Sequence, residues 1–575
     1  MKEISFTNGY EFTQGTGYQL PKYPSVVPPF VQSGDVEEQD IVIVGGGLSG
    51  LTLACSLAQL GIHAVLLDED NTVGVKGASS RGICYTQKSL EIFDKLGIYP
   101  RVKAKGIEWS VGRTFAGEDE VYSFNLKDQS NFNLSEQPPF INIQQFYNEG
   151  YLVERIYEHS SVELRWGNKL TSLTQSGLQA NALGERIRLG VQTDAGNYTL
   201  SARYVIDCTG SSSPIRQWLD VPFTAKRGDD RWCIADVRFT TEPPTERHTW
   251  IEAPFNDNRS VWQHLMGDSV WRIDYQMAPD ADPAYVSRED VVRERLARQF
   301  GKDVQVDIVW VGPYAYRSEC VKSMRCGTDE SAVFLMGDSA KVVSPFGARG
   351  GNTGIADADN LAWKLAAVIR KQAPPSLLAS YHQERHEAAS ENVKVTNRTA
   401  RFLRPADGIE RTFRSAAISL AKQYPFARSF INTGRMAIAN PYTRSTACTQ
   451  SPAISVQNIA FKWLDGSRGN LNDLLRWSNG HLLLLVFGHL PKLQALHLSA
   501  LAASTGLQAA QVLASGQTPN CKEALIDHSG KLTSACKAES KNLCWALLRP
   551  DSYLAATGSG IDAALIRSVQ QALGM

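Results

Sequence analysis

Residues Asp40 to Asp70 read DIVIVGGGLSGLTLACSLAQLGIHAVLLDED, and this stretch restricts the fold more than any other. Asp40 to Val44 is a short apolar run of the kind buried in a parallel sheet, and Gly45, Gly47 and Gly50 follow it at GxGxxG spacing. Gly45 permits a tight turn, Gly47 lets a pyrophosphate approach backbone where a Cβ would collide, and Gly50 lets the next helix pack closely on the strand. That helix opens at Leu48 and Ser49, where free N–H groups and a partial positive charge face a phosphate. Leu51, Ala54 and Ala58 form a small apolar stripe, Gly61 closes the helix, and Ala64 to Leu67 make a second buried strand. Asp68 ends that strand with Glu69 beside it, where a carboxylate can accept from a ribose hydroxyl. Strand, glycine turn, helix, strand and acid in register make a dinucleotide clasp, and the motif leaves FAD and NAD both open.

At 575 residues the chain is too long for one core and implies two or three domains. Its formal net charge is zero and no long basic run occurs, which argues against nucleic acid or an anionic membrane as partner. The longest aliphatic run, Leu482 to Phe487, is too short to span a bilayer, and the first residues, MKEISFTNGYEF, lack the apolar core of a signal peptide. Ten scattered cysteines show neither CxxC nor paired metal spacing, so they read as reduced thiols of a cytoplasmic protein with no metal site.

Residues 1–39 carry Tyr10, Tyr18, Tyr23 and a proline patch without a periodic apolar face, which reads as an extended arm on the surface or on a neighbouring subunit. Beyond the clasp, Arg81 precedes a helix near Lys88 to Leu96, and Gln144 to Glu158 has amphipathic spacing. A hairpin around Asp194 to Asn197 leads into Ala202 to Asp207 and a second small-residue turn, CTGSSS, containing Thr209 and Gly210. Between 232 and 277 lie four β-rich runs with interspersed aromatic, His and Arg residues, including Trp250, His264 and Tyr275; such a sheet, placed at about 225–325, can wall a pocket for an aromatic ligand.

Val333 to Lys364 is the second informative segment. A buried strand ends at Gly337 and Asp338, a loop runs through Pro345 and Gly347, and Gly350, Gly351 and Asn352 open a long helix. Its exposed N–H groups can stabilise negative charge on the pyrimidine edge of a flavin, and Asp338 can hold ribityl hydroxyls. Near Asn440 to Ala453 the composition suggests a linker, and 455–575 reads as a smaller, thioredoxin-like α/β domain that lacks CxxC and is therefore structural.

With these motifs in hand, residues 40 to about 450 resemble the class A flavoprotein aromatic monooxygenases, nearest the 3-(3-hydroxyphenyl)propionate hydroxylase and phenol hydroxylase types. The resemblance rests on the GxGxxG with Asp68, on Arg81, on Gln145 with Glu149, and on the segment from Gly337 and Asp338 through Pro345, Gly347, Gly350 and Asn352 to Trp363. It implies an α/β fold: a Rossmann-like FAD-binding domain (40–445) with an inserted mixed β-sheet substrate domain, followed by the thioredoxin-like domain. It also implies FAD as cofactor, NADH or NADPH and O2 as co-substrates, and hydroxylation of a phenolic or aromatic acid through a flavin C4a-hydroperoxide, with the Pro345 carbonyl beside the flavin. His264 and Tyr275 are then the candidates for handling the phenol proton, and Trp250 for contacting the ring. Dimers are common in the family. Two departures stand out: Thr209 where the family has aspartate, and Lys341 where histidine is common. Competing readings are hydroxylation or Baeyer-Villiger oxidation of a heteroaromatic or polyketide, or a non-catalytic flavin-binding protein.

Overall fold

The computed structural model describes residues 5–8, 18–74, 82–174, 186–240, 245–405, 408–431, 438–521, 523–538 and 543–575. β1 (Val36–Val44) passes through the glycine turn into α1 (Leu48–Gln59) and on to β2 (Ala64–Asp68), which pairs with β1 in parallel. After β3 (Cys84–Thr86) and α2 (Gln145–Tyr157), β4 (Val162–Trp166) joins β2 and β5 (Gly196–Asp207) joins β1, again in parallel. Ile41 to Val44 are buried on both faces, which is why their run is continuously apolar rather than alternating. Ile187–Thr193 pairs with β5 across the 194–197 turn, forming the expected hairpin.

The second sheet is built from β6 (Phe223–Phe239), β7 (Arg247–Ala253), β8 (Arg259–Leu265), β9 (Val270–Gln276) and, after α3 (Glu289–Phe300), β10 (Val306–Val321). Their order is β10-β6-β9-β8-β7, and α3 packs its Val292 and Leu296 on the outer face. The sheet also reaches outside the 225–325 window expected from sequence. A hairpin of Val111–Ala116 and Asp119–Asn125 adds to the β7 edge in parallel, which makes the sheet mixed.

β11 (Ala332–Leu335) returns to the first sheet beside β5, and a loop leads to α4 (Gly350–Ile369) and α5 (Ala379–Leu403). In the C-terminal domain β12 (Leu483–Phe487), α6 (Lys492–Thr505) and β13 (Gln508–Leu513) are followed by α7 (Lys531–Ala535), β14 (Cys544–Leu548), β15 (Leu554–Ser559) and α8 (Ala563–Ala572). The order β15-β14-β12-β13, with β12 and β13 parallel and β14 antiparallel to both its neighbours, is the thioredoxin arrangement.

Two expectations are corrected. From residue 18 onward the N-terminal segment is not a surface arm: Tyr18, Leu20 and Tyr23 are buried, with Tyr23 stacked on Trp166 at 4.7 Å, and β1 already begins at Val36, while residues 1–4 and 9–17, Tyr10 among them, lie outside the described residues. Nor is 440–453 a loose linker. Tyr442 pairs with Ala453 and stacks on Tyr553 at 4.2 Å, while Leu484 and Val486 of β12 enter the core of the first domain. The C-terminal domain is thus fused to the first by continuous apolar packing.

Candidate functional site

Three glycines of the first turn do different work, and space shows which. A Cβ on Gly45, at φ 108°, would lie 2.5 Å from the Cys208 carbonyl oxygen, and one on Gly50 would lie 2.0 Å from that of Gly45. These two are glycine for internal packing. Around Gly47 no atom lies within 4 Å of such a Cβ, so its face is open for a ligand. Asp68 accepts from Gly46 N (2.5 Å) and Asp70 N (2.7 Å), and burial pushes its carboxyl up to about 6. Glu69, the first residue after β2, is half exposed and lies 3.5 Å from Lys169. Asp68, not Glu69, is the acid that meets the glycine turn.

The second glycine cluster meets the first. Cβ atoms on Gly337 and Gly354 would fall 2.5 and 2.2 Å from Ser49 Oγ, and one on Gly351 would fall 3.1 Å from Leu48. The starts of α1 and α4 are therefore pressed together, which requires small residues at these positions. Asn352 ties α4 to β3, donating to the Cys84 carbonyl (2.8 Å) and accepting from Thr86 N (3.0 Å). Gly347 turns the loop at φ 80°, and the Pro345 carbonyl accepts from Ala348 N (3.2 Å). Gly350 meets only Val343, at 3.9 Å, and Asp338 is exposed at the loop's start. Gln145 accepts from Gly82 N (3.1 Å) and donates to Glu149 (2.7 Å), whose carboxyl burial pushes up to about 7. Arg81 lies outside the described residues.

Both departures from the family pattern have structural counterparts. Thr209 donates through Oγ1 (2.6 Å) and N (3.0 Å) to Asp207, and Ser213 donates to the same carboxylate (2.5 Å), so a buried acid stands two positions before the family's. Gly210 adopts φ 87° beside it with open space around it. Lys341 is buried and ion-paired to Asp357 of α4, whose other oxygen takes Arg385 at 2.6 Å. It fastens the loop to the helix.

The second sheet decides among the substrate candidates by alternation. On β8, Trp262 and His264 face inward; on β9 their partners are Asp274 and Arg272. Tyr275 pairs with Val261 and points the other way, donating to Gln299 of α3 at 2.7 Å. Trp250 also lies on the outer side, against Phe115 and Phe255. Tyr275 and Trp250 are therefore corrected to packing residues. His264 remains, its Nδ1 3.9 Å from Cys84 Sγ. Burial, reinforced by Arg247 and Arg272, drops its pKa well below the usual imidazole value, leaving it neutral.

The inner face also carries residues that sequence reasoning passed over. Asp236, Arg272, His264 and Arg247 lie side by side across β6, β9, β8 and β7, and Ile234, Asp274 and Trp262 form the next row. Arg272 is bound to Asp236 (3.0 Å), and the Arg247 guanidinium lies 4.7 Å from the Trp262 ring. Phe346 of the loop packs 5.0 Å from Trp262. The available signal was the strand VWRIDYQ, whose Arg272 and Asp274 interrupt an otherwise buried run.

Two glycine-opened helix starts in contact, one carrying an open phosphate cradle and an acid, beside a sheet lined with aromatic and charged groups, define a flavoprotein-type dinucleotide site. Residues 38–396 match the family model "FAD binding domain", and the chain belongs to that family. It is 26% identical over 393 residues to a 3-(3-hydroxy-phenyl)propionate/3-hydroxycinnamic acid hydroxylase of Mycolicibacterium gilvum, covering 68% of this chain. The matched chain spans 65% of that relative's own length. A flavin-dependent monooxygenase of Mycobacteroides abscessus is 29% identical over 359 residues, 61% of this chain and 72% of the relative. Among solved structures, a flavin-dependent monooxygenase in complex with FAD and substrate aligns with TM-score 0.75 at 20% identity, over 93% of this chain and 99% of that one. Aklavinone-11 hydroxylase with FAD and aklavinone aligns at 0.72 and 20%, over 94% and 100%. These two matches show the shared fold. Among the described residues no helix is long and apolar enough to cross a membrane.

Proposed function

We propose that this chain is an FAD-dependent monooxygenase that consumes NADH or NADPH and O2 to hydroxylate a phenolic or aromatic acid. The observation that carries this reading is the inner face of the second sheet, where His264, Asp274 and two arginines share a face with Trp262, which packs on Phe346 of the loop that leads to α4. A protein that only stored flavin would gain nothing from buried charges there.

In this reading Gly47 and the start of α1 take the pyrophosphate, Asp68 the ribose, Gln145 the loop beside the cofactor, and Gly350 to Asn352 the negative edge of the ring system. Bound flavin supplies, once reduced by NAD(P)H, the activation of O2. Trp232, Trp262 and Phe346 exclude water from the reacting ring, and the arginine-bearing row orients an anionic or ionisable aromatic. The ten free thiols fit a reducing, cytoplasmic setting, and a homodimer is expected, to be read by light scattering.

The test is a screen of phenolic acids, beginning with 3-(3-hydroxyphenyl)propionate and 3-hydroxycinnamate, against the purified yellow protein. One of them accelerates NAD(P)H oxidation and appears as hydroxylated product in proportion to the NAD(P)H consumed. A preparation that takes up no flavin, or whose oxidation rate no aromatic alters, overturns the proposal.

A further inference from the structure

Resting on the aromatic-hydroxylase reading, we infer that Asp274 is the catalytic base that receives the phenol proton of the substrate. Its carboxyl stands on the inner face of the second sheet, in register with Trp262 on one side and Ile234 on the other. It is 8% exposed, and its Oδ1 has no hydrogen-bond partner among the described residues. A buried carboxylate oxygen costs folding free energy unless something donates to it, so an open one is best accounted for by a donor that arrives with the ligand.

Its neighbours make the proton transfer chemically sensible. The charged and titratable groups around it are Arg272 on its own strand, Asp236 on β6, Arg247 on β7, His264 on β8 and Cys84 on β3, with Cys233 behind the sheet. Arg272 is already committed to Asp236 through Nε and Nη2. The arginines favour a phenolate over a phenol in the same space. Burial outweighs their pull on Asp274 itself and pushes its carboxyl up to about 7, where it is both available as a base at neutral pH and strong enough to act. The other candidates fail on geometry or charge: Tyr275 is on the far face, and His264 is held neutral with little proton affinity.

In the step itself the substrate O–H bond breaks, its electron pair stays on the phenolate oxygen, and the proton bonds to Asp274 Oδ1. Nothing is oxidised or reduced. The phenolate oxygen then pushes electron density to the ring carbon that accepts oxygen, and the Asp274 proton passes to solvent when the product leaves.

The experiment uses the holoenzyme, its D274N and D274E variants, and 3-(3-hydroxyphenyl)propionate or whichever phenolic acid stimulates it most, with ring-fluorinated analogues of increasing phenol acidity. Flavin absorbance and Tm confirm that each variant is folded and loaded. D274N lowers kcat for hydroxylation by about 10²-fold with little change in KM, and the rising limb of the pH–rate profile near neutrality disappears. D274E restores part of the rate and the limb. The deficit of D274N shrinks as the analogue becomes acidic enough to bind already ionised. A D274N enzyme with the wild-type rate and pH limb, or a deficit equal for all analogues, overturns this assignment while leaving the hydroxylase reading intact. A wild-type enzyme indifferent to every phenol overturns both.

Discussion

Of the clusters of buried charge in the described residues, the one between the domains and the one on the inner face of the second sheet are finished to different degrees. At the domain interface Glu384 takes Lys364 at 2.8 Å and both terminal nitrogens of Arg549 at 2.6 and 2.8 Å, while Arg549 also grips Asp551 at 2.5 and 3.0 Å. Asn360 donates to both carboxylates, and no side-chain polar atom of the four charged residues lacks a partner. On the sheet, Asp236 and Arg272 are similarly matched, but Asp274 is left with an open oxygen. Desolvating a charge costs several kcal/mol unless geometry and hydrogen bonds return it. The interface cluster returns it from the protein's own atoms and so serves architecture. The sheet cluster is completed only when something else supplies a donor, which is the condition of a binding site.

Glu384→Ala gives the sharpest break between them. It takes the carboxylate from Lys364 and leaves Arg549 held by Asp551 without Glu384, and it is expected to cost about 3–5 kcal/mol, with a large fall in Tm and exposure of the C-terminal domain to protease. A fall comparable to that of an exposed ion pair would show that the interface cluster is not what holds the two domains together.

The pH dependence separates the clusters by sign. Burial pushes Asp274 up to about 7, so the native state binds its proton more tightly than the unfolded chain; that contribution is whole below about pH 4 and is lost as pH rises toward 7. Burial alone would raise Glu384 too, but Arg549 and Lys364 hold it well below the usual carboxylate range; its contribution is present above the ordinary value and is lost as pH falls through the lowered one. Asp274→Asn should therefore gain on wild type by on the order of 2 kcal/mol between about pH 5 and about pH 8, read as the difference in Tm across that range. A pH-independent difference would mean that Asp274 is solvated and the open oxygen is not a buried one.

How much of this was legible beforehand follows the range of each signal. The clasp was readable because strand, glycine spacing and terminal acid are contiguous, and the C-terminal α/β domain through apolar runs such as Leu482 to Phe487, though not its strand order. Sheet faces were not readable strand by strand. His264 and Tyr275 looked equivalent until their register showed that they point to opposite sides, and register depends on pairing between segments that sequence alone does not align. Lys341 and Thr209 stood out only as departures because their partners, Asp357 and Asp207, are identified only by proximity or by the turn that brings them together. The arm was misjudged for the same reason: Tyr18, Leu20 and Tyr23 have no periodicity, since each packs on a different element.

The smallest expected effect concerns that arm and the finished end of the sheet cluster. Tyr18 donates through its hydroxyl to Asp236 Oδ2 at 3.1 Å, and its ring packs 4.9 Å from that of Phe146. Tyr18→Phe keeps the ring and removes one donor from a carboxylate that Arg272 still holds through two nitrogens, so about 1 kcal/mol of stability is lost and hydroxylation is nearly unchanged. The measurement is a denaturation midpoint beside a product assay. Loss of activity as deep as that expected for Asp274→Asn would erase the distinction between a satisfied end and an open one, because it would make the whole row from Tyr18 to Arg247 part of the chemistry. No loss of stability would mean that the segment carrying Tyr18 does not dock in solution and that Asp236 is satisfied without it.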